Sequence, residues 1–438
     1  MSQTNQISLT KAVLMGMNIM VGAAILAAPS IITSAAGDMG IFAWTVSLVF
    51  LPIVLSIMRL TQLVQKDGGI YAYAQDSLGR IPAFIGGALY YFGYTFAAAA
   101  VISMLRMLLL VPFPEVFIIK NLFAFYSFAL AIIATLNMVS LSVMSAIQIP
   151  AILLKFTPLL VVIALFPFAS GADFVFDLSK LAALPKSQAA LTMTIFGFMG
   201  FEYSLSLNRY LENKEVNGPR AIVGAFLSTV VVYVLFHFGL LRLMGGANLV
   251  ALGATGVPAF LPISSIAIKG AIAVLIGMAI KLSYASSANG MITGNIETFY
   301  GLAKDGLLRC ADFFTITNKN GRPLTSGILQ FMVVFVLGTL VSNPTVLANL
   351  TNIAVLMVFL LLTVALIAVL RKQNNASVTD QIIAYSGFVA SAGLSGYSFM
   401  LLGATMSQRL HSVSPLVVCV LASLLMYKPA TVQAPRSN

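Results

Sequence analysis

Apolar runs of about 20 residues, the length that crosses a hydrocarbon core, recur along the whole chain. They fall at residues 10–34, 39–64, 84–111, 121–141, 146–169, 189–211, 221–244, 268–300, 326–342, 346–370, 381–404 and 411–427. The pattern predicts an all-α integral membrane protein of about twelve transmembrane helices. The connections are short. The longest polar stretch, residues 303–326, reads as a cytoplasmic loop with a turn at Asn320-Gly321-Arg322-Pro323. No linker is long enough to separate soluble domains, so residues 1–438 are read as one membrane domain.

Two of the runs are interrupted. The first, over residues 9–36, breaks at Gly22-Ala23-Ala24 and carries Pro29. Irregular backbone at membrane depth leaves amides and carbonyls unpaired, which is tolerated only where it is buried in protein or lines a polar cavity. A half-helix ending near Val21 would present free carbonyls, and one beginning at Ile25 would present free N–H groups and a partial positive charge. An anionic and a cationic group can bind side by side at such a break. The second interruption lies five runs later, at Ile195-Phe196-Gly197-Phe198-Met199-Gly200-Phe201-Glu202, where two glycines and a carboxylate sit inside an apolar helix. Broken helices in corresponding positions point to a five-plus-five inverted repeat, residues 9–169 and 189–370, with a ligand site between the halves. The last two runs, residues 381–427, fall outside the repeats and are assigned to scaffold or to a homodimer contact.

Composition agrees with a membrane location: of 438 residues, 59% are hydrophobic and 8% charged, with a mean hydropathy of +0.98. The net charge of +11 is spread singly between runs rather than gathered on one face, which argues against nucleic acid as a partner. Most basic residues, Lys66, Arg80, Arg209, Lys214, Arg220, Lys304, Arg309, Lys319, Arg322, Arg371, Lys372 and Lys428 among them, fall in alternate connections. The opposite set holds mainly Lys120, Lys180, Lys186, Lys269 and Arg409. This positive-inside bias places both termini in the cytoplasm, in the plasma (inner) membrane. Residues Met1 to Gln6 lack the cationic start of a signal peptide, so the first span is expected to be retained. Cys310 and Cys419 alone argue against a disulfide or a thiolate metal site. Two histidines and two cysteines, far apart, do not suit an intramembrane enzyme. No Gly-Lys-Ser/Thr phosphate cradle points to ATP as the driving force, and no cofactor is expected. Paired broken helices fit a carrier better than a channel, which would favour charge rings or pore-lining repeats.

Five short motifs resemble those of the amino acid-polyamine-organocation permeases. Val21-Gly22-Ala23-Ala24-Ile25, closed by Pro29, is similar to the family's first-span Gly-Ser-Gly-Ile break. Gly68-Gly69-Ile70-Tyr71-Ala72-Tyr73 with Gly79 resembles its Gly-Gly-x-Tyr-x-Tyr signature, and Phe198-Met199-Gly200-Phe201-Glu202 its sixth-span break. Pro219-Arg220-Ala221-Ile222 and Tyr300-Gly301-Leu302-Ala303-Lys304-Asp305-Gly306-Leu307-Leu308 complete the series over residues 9–325. There are departures: Ala23-Ala24 replaces Ser-Gly, Arg209-Tyr210 a usual acidic pair, and Glu297 a common arginine. The resemblance implies a secondary active transporter of amino acids, with an exchanger of a cationic amino acid for its amine or a polyamine as the alternative.

The candidate site residues follow. The N–H groups of Gly22, Ala23, Ala24 and Ile25 would hold a substrate carboxylate, with carbonyls near Met20 and from Phe196 to Met199 taking the ammonium. Packing by small residues is the competing reading. The resemblance places Tyr94, Phe196, Phe198 and Met291 in the pocket, with Phe196 as an occluding gate; ordinary core aromatics are the plainer alternative. Large apolar walls favour an uncharged substrate side chain. Lys155 reads either as a lysine snorkelling to the interface or, by the resemblance, as the ammonium that replaces a sodium ion. In the second role it would reach carbonyls of the first span and the hydroxyl of Ser287, and couple transport to protons. Glu202 is either a functional carboxylate or a cap on the following half-helix. Lys281 and His237 receive no assigned role.

Overall fold

The structure is a computed structural model that describes residues 8–64, 70–139, 141–169, 173–203, 211–373 and 376–429. The first apolar run forms two helices, α1 (Leu9–Met20) and α2 (Ala23–Ala36), parted by Val21 and Gly22. A 3-10 segment, Gly37–Thr45, leads into α3 (Val46–Leu63). There follow α4 (Ile70–Leu78), α5 (Arg80–Leu110), α6 (Leu122–Met138) and α7 (Leu141–Leu165). The second break ends α8 (Gln188–Gly197), and α9 (Lys214–Met244), α10 (Ile266–Lys304), α11 (Leu324–Leu340), α12 (Pro344–Lys372), α13 (Val378–Met400) and α14 (Met406–Leu424) complete the order. The Gly68-Gly69 pair and Arg209-Tyr210 lie outside the described residues.

Polar residues at the ends of the apolar runs act as caps. The side chains of Asn121, Ser187 and Asn343 each accept a backbone N–H from the first turn of their helix, and Thr405 forms a full capping box with Gln408. These oxygens satisfy amides that the helix itself cannot pair. Among the described residues, five stretches are long and apolar enough to cross a membrane, namely Ala24–Leu63, Arg80–Leu110, Lys214–Met244, Ile266–Lys304 and Pro344–Lys372. The number is smaller than the sequence pattern predicts in part because Ala24–Leu63 joins the second half of the first run to the second run, and because α6 and α11 have only 17 residues each.

Helix α5 is the axis of the fold, buried along most of residues 83–104 and packed against α4, α10, α11 and α12. Its small residues allow the close approach: a Cβ at Gly93 would lie 3.0 Å from Val355 Cγ2 and 3.1 Å from Ala354 Cβ. Helix α13 is fastened to α3. Arg59 grips Asp380 through two hydrogen bonds of 2.7 and 3.0 Å, and Ser56 Oγ donates to Ile383 O at 2.7 Å. At the same contact a Cβ at Gly387 would lie 2.1 Å from Ser56 Oγ and 3.0 Å from Pro52 O. Gly387→Ala is therefore expected to cost about 1–3 kcal/mol by overpacking, seen as a lowered melting midpoint of the detergent-solubilised protein. An unchanged midpoint would show that α13 is not held this tightly.

Candidate functional site

The first break is one turn of backbone with its own partners. Val21 N donates to Met17 O at 2.7 Å and Gly22 N to Met20 O at 2.8 Å. Helix α2 starts two residues earlier than Ile25, so Ala23 and Ala24 are already helical. Gly22 provides no side-chain cap, and the first amides of a helix have no intrahelical acceptor. The helix therefore opens directly at the break, and the unwound segment is shorter than the sequence predicts.

The carbonyls closing α1 are held by two side chains from other helices. Lys155, on α7 and only 1% exposed, donates its ammonium to Asn18 O at 2.5 Å. Tyr233, on α9, places its hydroxyl 2.6 Å from Met20 O and 2.9 Å from Gly197 O. One buried hydroxyl thus spans the carbonyl ends of both broken helices.

At the second break, Phe198 to Gly200 form a turn with Gly200 at φ +115°, followed by one 3-10 turn at 201–203. A side chain at Gly200 would meet Ile19 Cγ2 at 2.6 Å, so glycine answers both the left-handed backbone and the approach of α1. Glu202 is fully buried. Its carboxylate accepts the Gly200 N–H at 3.0 Å and the Tyr94 hydroxyl through a short hydrogen bond. It therefore braces the break from within and ties it to α5.

Between the breaks lies a cavity of about 10 Å³, lined by Ile19, Met20, Gly22, Ala24, Tyr94, Ala97, Val101, Phe196, Met199, Met291 and Thr351. That volume holds about one water. The structure brings together five residues of the predicted binding set here, Gly22, Ala24, Tyr94, Phe196 and Met291. Others lie elsewhere. Ile25 is wholly buried but does not line the cavity, and the side chain of Ala23 is outside the described atoms. Phe198 points away from the cavity into an aromatic cluster, with ring centroids 5.5 Å from Phe50, 5.7 Å from Phe226, 5.8 Å from Tyr233 and 5.9 Å from Trp44. It supports the break from behind.

An amino acid permease family model matches residues 7–426. The chain belongs to the amino acid permease family. This permease is 23% identical over 438 residues to the serine/threonine exchanger SteT of Bacillus subtilis, with 96% of each chain covered. It is 24% identical over 318 residues to the cystine/glutamate transporter of Homo sapiens, covering 69% of the permease and 62% of that transporter. Family membership and the apolar helices make it a multi-pass membrane protein.

Ser287 of the permease does not join Lys155. Among the described residues its hydroxyl has no hydrogen-bond partner, and it packs on Gly22, where a Cβ would lie 2.5 Å from Ser287 Oγ. The small size of both residues lets α10 meet the break. Glu297, where the resemblance leads one to expect arginine, pairs with Arg322 at 2.9 Å, and Arg322 Nε donates to Asn137 O. Asn137, Asn289 and Thr293 form a buried network between α6 and α10. Among the described residues, no group of three His, Cys, Asp or Glu side chains is placed to hold a metal.

Sequence reasoning missed Tyr233 and left His237 without a role. The two stand four apart on α9, hence on one face. His237 Nδ1 accepts the Trp44 indole N–H at 3.0 Å, and Nε2 lies 3.0 Å from Thr33 Oγ1. Because an indole nitrogen only donates, Nε2 carries the ring hydrogen and donates to Thr33. The histidine thus joins α2, the 3-10 segment and α9 beside the break. A pair of polar residues one turn apart in an apolar span was the available signal.

Proposed function

We propose that this permease is a secondary carrier for an α-amino acid with an uncharged side chain, moved by alternating access between two broken helices. The observation that carries this reading is the meeting of both breaks at one cavity. Gly22 and Ala24, at the start of α2, line it on one side, and Phe196, Tyr94 and Met291 wall the other. With the Gly22 N–H taken by Met20 O, the N–H groups of Ala23, Ala24 and Ile25 bind the substrate carboxylate, and carbonyls at the second break bind its ammonium. A one-water cavity corresponds to a closed state, with Phe196 as the gate that must move to admit substrate. Residues 9–169 and 189–370 act as inverted halves of about twelve spans, residues 381–427 as scaffold, and both termini are cytoplasmic.

Lys155 serves as a resident cation in place of sodium. Its ammonium on Asn18 O supports this role, and loss and recovery of its proton would couple uptake to a proton gradient. Exchange of one amino acid for another is the second reading. It is favoured by the similarity to an exchanger along nearly the full length of both chains.

Counterflow in proteoliposomes tests the proposal. Saturable uptake of a labelled amino acid into vesicles preloaded with the unlabelled one is expected, and a conductance far above carrier turnover would contradict it. A proton gradient driving uptake into empty vesicles marks symport, whereas an absolute need for internal substrate marks exchange. Tyr233→Phe, which removes the hydroxyl shared by Met20 O and Gly197 O, is expected to slow uptake about 10-fold, the worth of one hydrogen bond at its upper range. Full uptake by this variant would show that the two carbonyl ends need no common donor.

A further inference from the structure

Away from the breaks, the 3-10 segment, the start of α3, the outer part of α9 and Phe174 enclose a second hollow, an open groove of about 470 Å³. Its volume is within the range of built ligand sites, roughly 300–1,000 Å³. The lining is almost wholly apolar: Phe42, Trp44, Leu48, Phe174, Val234 and Phe238 form most of it. The hydroxyl of Thr45, one of its few polar groups, already donates to Phe42 O at 2.7 Å. Beside Thr45 only Ser47 adds a hydroxyl, and no charged side chain lines the groove.

We infer that this groove holds one acyl chain of a membrane lipid against Trp44. Three observations favour that occupant. The mouth is continuous with exposed apolar faces of α3 and α9, where Leu48, Val49, Val231 and Leu235 are solvent-accessible in the isolated chain and meet acyl chains in a bilayer. The groove is open along one side, so a chain can enter laterally without leaving the hydrocarbon. Its floor is rigid, since Trp44 is fixed by its hydrogen bond to His237 and by packing 4.9 Å from the Tyr233 ring. The same Tyr233 bonds the carbonyl ends of both broken helices. A lipid chain in the groove therefore rests on a wall whose other side supports the substrate site.

Trp44 is the only tryptophan in the chain, so all tryptophan emission comes from this wall of the groove. The full-length protein is reconstituted into phosphatidylcholine vesicles with plain or dibrominated acyl chains, since bromine quenches an indole it approaches closely. At least a twofold loss of emission is expected in brominated vesicles. Val234→Phe and Leu48→Phe, at positions 36% and 69% exposed, narrow the groove from opposite sides and are expected to restore most of the emission. Unquenched wild-type protein, or equal quenching in wild type and both variants, would overturn the inference. Quenching by a brominated sterol but not by brominated acyl chains would overturn it in favour of a sterol. The readout needs no transport, so it stands or falls independently of the proposed carrier activity.

Discussion

Lys155→Met is expected to lower amino acid uptake by about 100-fold and to leave the residue of activity indifferent to a proton gradient. The substitution keeps an unbranched side chain as far as the ε position but removes the ammonium from Asn18 O. A hydrogen bond to a charged group contributes about 1.5–3 kcal/mol, and leaving its buried acceptor unpaired costs a comparable amount, so a hundredfold effect lies at the upper end of one such contact. The carbonyl lost to Lys155 belongs to the last turn of α1, two residues before the Met20 carbonyl that Tyr233 holds. Loosening it disorders the half of the site that precedes Gly22. Uptake by vesicles with and without an imposed pH difference checks both parts. A variant that kept full uptake and full response to the gradient would remove Lys155 from coupling and return it to a structural cation.

Gly22→Ala is expected to reduce uptake 10-fold or more, and Ser287→Ala in the same molecule to recover a large part of the loss. The clash is specific: the new Cβ would lie 2.5 Å from Ser287 Oγ and 3.3 Å from Ser287 Cβ. Overpacking of this kind costs about 1–3 kcal/mol. Here the strain falls on the amides that open α2, so it appears in substrate affinity rather than in stability alone. Because the two residues touch, their effects are non-additive, and a double-mutant cycle on apparent affinity isolates the contact. Additive losses would mean that α10 does not press on the break.

Much of this arrangement was legible in the chain because membrane burial makes backbone irregularity expensive. Glycines at 22, 197 and 200 mark both breaks, and the order of apolar runs marks the helices around them. The first break proved shorter than the sequence suggests for a local reason. Alanine is the best helix former, so Ala23 and Ala24 continue α2 down to Gly22 rather than widening the gap. Phe198 was misplaced because motif position fixes a residue on a turn but not the direction of its ring, which the cluster of Phe50, Phe226 and Tyr233 decides. Tyr233 and His237 were opaque for a similar reason. Their partners, Met20 O and Trp44, are about 190 or more residues away in sequence, and only the packing of α9 on the first break brings them together. The collapse of the cavity to the size of a single water could not be read at all, since it depends on how large side chains interdigitate.

Chemical blocking of each end of the substrate tests the account most directly. The amino acid giving the strongest counterflow is compared with its methyl ester, its N-acetyl derivative and its decarboxylated amine as competitors. If main-chain amides of α2 hold the carboxylate and carbonyls of the second break hold the ammonium, only the free zwitterion competes well, and masking either group weakens competition about 100-fold or more. Equal competition by the ester or the N-acetyl derivative would contradict binding at the two breaks.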